Sequence, residues 1–173
     1  NIISEPKSEI KLGLEAIDEE VDHMTELVSN ILDMSRIESG TRGVEREICH
    51  MLDIVQDSVR RTLESRHGFG RAVNTTVPSD MPEMYADPGQ LGRVLDNLLS
   101  NAMKYTPGKV EIVNSYNSAS DTIRTEVIDQ GEGIPATKHS EIFDKFYRLR
   151  EGNARGREGS GLGLAICKSV IGA

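Results

Sequence analysis

Asn97, Asn101 and Lys104 stand at i, i+4 and i+7 within Asp96-Asn97-Leu98-Leu99-Ser100-Asn101-Ala102-Met103-Lys104-Tyr105-Thr106-Pro107. A helix there brings two carboxamides and an ammonium to one face and leaves Leu95, Leu98, Leu99 and Ala102 for a core. An amide oxygen suits a hard cation and a lysine pairs with phosphate, so the face fits a polar, anionic ligand. A merely solvated face is the plain alternative. Downstream, Asp129 ends the run Val127-Ile128 and is followed by Gly131 and Gly133 with one residue between them. A carboxylate only accepts hydrogen bonds, so Asp129 can read the amino group of a base while the glycines leave room for its ring. The third feature is Gly159-Ser160-Gly161-Leu162-Gly163, which opens an apolar helix. Free N–H groups and the positive helix end favour phosphate there. The segment lacks the Lys-Ser/Thr of a P-loop and the G-x-G-x-x-G spacing of a dinucleotide fold, so neither of those folds is favoured.

The elements that must position these residues follow from periodicity. The spacing of Ile10, Leu14, Ile17, Val21, Met24, Val28 and Ile31 alternates four and three, the seam of a heptad repeat, with Leu27 and Met34 widening the stripe. This predicts one long helix over about 9–39, stopped by Gly40, with Glu15, Asp18, Glu19, Glu20, Asp22 and Glu26 solvating its other face. A helix of about 45 Å cannot bury such a stripe alone, so a hairpin that dimerises is expected. A helix folded along its own domain is the alternative. Beyond the boundary at Gly40–Gly43, a strand is expected near 44–48, a helix near 50–65, alternation from Phe69 to Val77, a Pro-punctuated stretch from Pro78 to Pro88, and a strong helix over 88–104. Two strands, Val110 to Tyr116 and Thr122 to Ile128, precede a glycine-rich charged segment from Arg148 to Ser160 and a last helix near 161–171. Strands and helices in this order predict a layered α/β sandwich with a mixed sheet.

The 173 residues carry 20 basic and 28 acidic side chains, for a net charge of -8, and no basic run, which argues against duplex nucleic acid as a partner. No stretch approaches the roughly 18 to 20 apolar residues of a membrane span, and the N-terminus lacks the basic and apolar regions of a signal peptide. Cys49 and Cys167 stand far apart, and the four histidines show no metal-ligand spacing, so a structural metal is not expected.

Taken together and in order, these segments resemble the histidine kinase and gyrase-type ATPase superfamily with its Bergerat fold. Asn97 to Thr106 is similar to its N box, Asp129 to Gly133 to its first glycine box, Ile142 to Arg148 to its F box, and Gly159 to Gly163 to its second glycine box. Leu27 to Gly40 resembles the second helix of the dimerisation and phosphotransfer hairpin of two-component sensor histidine kinases. The resemblance implies two units: residues 1–41 as part of the hairpin and 42–173 as the catalytic ATP-binding domain. It implies ATP and Mg as cofactors, with Asp129 on the adenine amino group, Asn101 on Mg²⁺, and Asn97 and Lys104 near the phosphates. Tyr105, Ile134 and Leu162 would line the base and ribose pocket beside Gly131 and Gly133. Tyr147 and Arg148 at one end of a lid, and Gly159, Ser160, Gly161 and Gly163 at the other, would close over the triphosphate, with Asn97, Lys104 and Arg148 the catalytic set. Hydrolytic relatives carry Glu where Asn97 stands; an amide cannot activate water as a base, so transfer of the γ-phosphoryl to a protein histidine, and thence to a response-regulator aspartate, is implied.

The resemblance further implies a homodimer through helix 9–39, a cytoplasmic setting, and a membrane, if any, reached only through other parts of a parent chain anchored in the inner membrane. It departs from the family pattern in two places. No H box, the acceptor His followed by an acid and Leu-Arg-x-Pro, is found, and His23 reads as a surface or bundle residue, so this chain alone is not expected to autophosphorylate. The family usually continues past the last helix into a final strand pair, whereas the sequence stops at Ile171-Gly172-Ala173, which fits either a fragment or a degenerate ending. A non-catalytic nucleotide-binding or dimerising module is therefore the alternative function.

Overall fold

The computed structural model describes residues 6–38, 43–65, 67–149 and 159–172. Residues 40–42 of the expected boundary and most of the expected lid, including Glu151, Arg155, Arg157 and Glu158, lie outside the described residues.

Helix α1 runs Pro6–Glu38. Its heptad residues Ile10, Leu14, Ile17, Val21, Met24, Val28 and Ile31 are all more than half exposed. The opposite side of its C-terminal half docks on the rest of the chain through Glu26, Asn30, Asp33 and Met34. Glu26, expected to be solvated, keeps a 39% exposed side chain but also pairs with Lys104 of another helix.

The remainder is a two-layer α/β sandwich. A mixed sheet has the order β2-β4-β5, with β2 (Val73–Thr76) parallel to β4 (Val110–Asn117) and β4 antiparallel to β5 (Thr122–Ile128). Against it pack α2 (Met51–Glu64) and α3 (Pro88–Tyr105), and α4 (Gly163–Ile171) packs on α3. Ile54 and Val55 of α2, Leu95, Leu99 and Met103 of α3, and Val110 and Ile112 of β4 form the core. These aliphatic residues supply the burial that scarce aromatics would supply elsewhere.

Two short strands, β1 (Glu47–Cys49) and β3 (Met84–Ala86), pair antiparallel as a separate ribbon. The first was expected at 44–48. Its partner sets the register instead, matching Glu47 with Ala86 and Cys49 with Met84 and leaving Val44 exposed. The ribbon delivers Asp87 to the start of α3, where its side chain accepts from the Gln90 N–H at 3.0 Å ahead of Pro88, a strong N-terminal signal. Arg61 of α2 then grips Asp96 of α3 with two hydrogen bonds of 3.1 Å, holding the two helices in register. Among the described residues no helix is long and apolar enough to cross a membrane.

Candidate nucleotide site

Helix α3 carries the first set of candidate residues. Asn97, Asn101 and Lys104 fall on one half-buried side of it. Asn97 Nδ2 donates to the Arg93 carbonyl at 3.0 Å, so its orientation is set within its own helix. Its carbonyl oxygen lies against Gly163, where a Cβ would approach it to 2.9 Å, so a side chain there would displace the Asn97 amide. Lys104 does not face open solvent: its side chain is 7% exposed and its Nζ donates to Glu26 Oε2 at 2.7 Å.

Asp129 follows directly on β5 and is exposed. Its Oδ1 accepts from Thr106 Oγ1 at 2.8 Å and from the Gly131 N–H at 2.7 Å. Thr106, at the end of α3, is itself buried. Oδ1 is thus held by two donors, and neither of these hydrogen bonds uses Oδ2. Tyr105 and Ile134 are exposed nearby in sequence, whereas Leu162 is fully buried with Met34, Ile166 and Val170 rather than standing on an open wall.

The second glycine box is shaped by Gly161, whose φ of +68° is strained for any other residue and whose Cβ would lie 2.8 Å from the Phe146 carbonyl carbon. The Gly161 carbonyl accepts from the Phe146 N–H at 2.9 Å, and Phe146 itself has a φ of +62°. The F box and the second glycine box are thereby tied backbone to backbone at the two ends of the segment 150–158. Helix α4 starts two residues later than expected because Gly161 is not helical. Ser160 Oγ accepts from Asn30 Nδ2 at 3.1 Å and from the Leu162 N–H at 3.2 Å. Tyr147 sits against Lys138 and Glu141: partial burial and the hydrogen bond to Glu141 raise its phenol above the usual range, and the Lys138 ammonium, 2.9 Å away, holds the Glu141 carboxyl below its own. Gly133 takes a φ of +73° and Gly159 one of +126°, backbone conformations that favour glycine.

The boxes, read separately in the sequence, thus meet in pairs along α3: the first glycine box at Thr106, the second at Asn97, and the F box against the second glycine box. Residues 86–173 match the family described as histidine kinase-, DNA gyrase B- and HSP90-like ATPase. The chain belongs to this ATPase family. Among its relatives, the sensor protein KdpD of Escherichia coli (strain K12) is 35% identical over 155 residues, covering 90% of this chain and 17% of its own length. The adaptive-response sensory kinase SasA of Nostoc sp. is 40% identical over 101 residues, covering 57% of this chain and 24% of its own length. This ATPase-family chain thus spans about a fifth of the relatives it matches. Among solved structures, full-length ShkA in complex with AMPPNP superposes with a TM-score of 0.74 at 25% identity, over 99% of this chain and 35% of that one. The mycobacterial sensor histidine kinase MprB superposes with a TM-score of 0.57 at 30% identity, over 73% of this chain and 78% of that one.

Two groups of residues escaped the sequence reading. Glu26, Asn30 and Asp33 of α1 meet Lys104, Ser160 and Arg93 in turn. Their i, i+4, i+7 spacing was visible, but nothing local distinguishes it from a solvated face. Arg71, on the loop before β2, donates to three carbonyls at the end of α3. His23, one turn before Glu26, is half-buried, and its Nε2 has no hydrogen-bond partner among the described residues.

Proposed function

We propose that this chain is the catalytic ATP-binding part of a two-component sensor histidine kinase, with residues 42–173 as the nucleotide domain and 1–41 as part of the dimerisation hairpin. The reaction would move the γ-phosphoryl of ATP to a histidine on a hairpin outside this chain, and from there to an aspartate of a response-regulator receiver domain. The observation that carries the reading is the setting of Asp129, whose Oδ1 is committed to Thr106 and Gly131 and whose Oδ2 is left to accept from an exocyclic amino group.

The residues present fit a triphosphate and its cation. Asn101 offers one carboxamide oxygen on the α3 face shared with Lys104; Mg²⁺ typically takes one or two protein oxygens and completes its shell with substrate phosphates and water. Bound there, the ion would neutralise phosphate charge. Asn97 and Lys104, with Tyr147 and Arg148 from the F box and Gly159 to Gly163 from the second glycine box, would orient the phosphates. Tyr105, Ile134, Gly131 and Gly133 would flank the base and ribose, with Leu162 supporting that wall from the core. Asn97, an amide, holds phosphate without accepting a proton, which favours a protein acceptor over water.

The exposed heptad stripe of α1 supports a homodimer through helix 9–39. The reading places the domain in the cytoplasm, with membrane attachment supplied by other parts of a parent protein. Calorimetric titration with AMPPNP tests it: Mg²⁺-dependent binding that is lost in Asp129→Asn supports the site, and transfer to an H-box hairpin supplied in trans supports the kinase. Binding without transfer would favour the regulatory nucleotide-binding module.

A further inference from the structure

The last four carbonyls of an α-helix find no partner inside it. At the end of α3 the Thr106 N–H takes the Ala102 carbonyl at 3.1 Å, and Arg71 takes the next one. Arg71 Nη1 donates to Met103 O at 2.7 Å, and Nη2 donates to Thr106 O at 2.6 Å and to Gly108 O at 2.7 Å. One planar guanidinium therefore bridges the helix end and both sides of Pro107, where a positive charge also suits the helix dipole.

The turn so held bears on the base-reading segment at two points. Thr106 Oγ1 donates to Asp129 Oδ1, and the Lys109 N–H donates to Gln130 Oε1 at 3.4 Å. Gly108 stands so close to the same Gln130 side chain that a Cβ there would lie 2.6 Å from Oε1. Asp129 is exposed, so apart from the Thr106 hydroxyl and the Gly131 N–H of its own turn little restrains its rotamer.

We infer that Arg71 is a positioning residue for base recognition, fixing Asp129 through Thr106 without touching the ligand. The inference rests on the reading of Asp129 as the group that accepts from the adenine amino group. Arg71 then sets how strongly the site prefers a base with that amino group over one without it. A residue that only caps α3 would change stability and weaken all nucleotides alike.

The test compares dissociation constants of the 173-residue chain for ATP and for purine riboside triphosphate, which lacks the amino group, in the presence of Mg²⁺. The parent is expected to prefer ATP. Arg71→Lys, whose point charge cannot fork to three carbonyls, and Thr106→Val are each expected to weaken ATP about tenfold while leaving the purine analogue nearly unchanged. The double variant should lose no more than either single one. Arg71→Gln is carried beside Arg71→Lys so that loss of fold in one substitution leaves the other to decide. An unaltered preference in folded Arg71 variants, or equal losses for both ligands, would overturn the inference. Asp129→Asn separates the two levels: if it loses ATP binding while the Arg71 variants keep an unaltered preference, only the role of Arg71 fails; if it binds ATP as the parent does, the base-reading assignment fails with it.

Discussion

Lys104 Nζ lies 2.7 Å from Glu26 Oε2, joining α3 to α1 across 78 residues of chain. The lysine side chain is 7% exposed and the glutamate 39% exposed, so the pair sits at the edge of the docked surface, with the cation on the inner side. A triphosphate at the proposed site would claim the same ammonium.

Glu26→Gln should therefore tighten AMPPNP binding. The glutamate is exposed enough for solvent to screen it, so the gain is expected at about threefold to tenfold, shrinking as salt is raised. Titration calorimetry at low and high ionic strength measures it. Unchanged affinity at low salt would mean that Lys104 serves the ligand without leaving Glu26.

Asp129→Asn should abolish measurable nucleotide binding while the thermal midpoint stays within a few degrees of the parent. The Asn oxygen can still accept from Thr106 and Gly131, so the local turn survives, but its amide then points a donor at a donor. Binding by calorimetry, paired with circular dichroism melting, checks both halves of the expectation.

Gly161→Ala should cost about 2 kcal/mol or more in chemical denaturation, because a φ of +68° and a Cβ 2.8 Å from the Phe146 carbonyl carbon act together. The Phe146 to Gly161 hydrogen bond ties the two ends of the 150–158 segment, so nucleotide affinity should fall as well. A variant of parental stability would show that the backbone there shifts freely.

Cys167 is buried beneath α3, its thiol 3.8 Å from the Val94 carbonyl, and burial pushes its pKa up to about 11. The folded state therefore keeps a proton that the unfolded chain releases near the ordinary thiol value of 9.0. Its contribution is complete below that value and is lost as pH rises toward 11, on the order of 2 kcal/mol. Denaturation midpoints of Cys167→Ala and parent across this alkaline range check the sign: the parent should lose stability faster. Alkylation of Cys167 should also be negligible at neutral pH until the protein unfolds.

Helix α3 was legible from sequence because its apolar and polar faces, its Asp87-Pro88 start and its boxes all speak at short range. Of the ribbon only β1 was legible, and that with its bounds displaced: β3 lies in a Pro-punctuated stretch, and the extended form of its three residues depends on the partner strand. The box residues were legible by type, but not their engagement. That Lys104 answers to Glu26, Ser160 to Asn30 and Asp129 to Thr106 depends on side chains meeting across 78, 130 and 23 residues, and no local period encodes such meetings. Arg71 lay unnoticed within an alternating stretch because an arginine before a strand has no local signature of the carbonyls it will cap.

At about 100° per residue, Glu26, Asn30 and Asp33 share one side of α1, while Val21, Met24, Val28 and Ile31 lie on the order of 180° away. The helix thus stands as an axle with two opposed flanks, one docked on Lys104, Ser160 and Arg93, the other the exposed apolar stripe. Torque applied along that axle cannot turn one flank without turning the other. A twist of one residue's angle would swing Glu26 off Lys104 and Asn30 off Ser160 in a single stroke, making helix rotation and release of that lysine one mechanical coordinate.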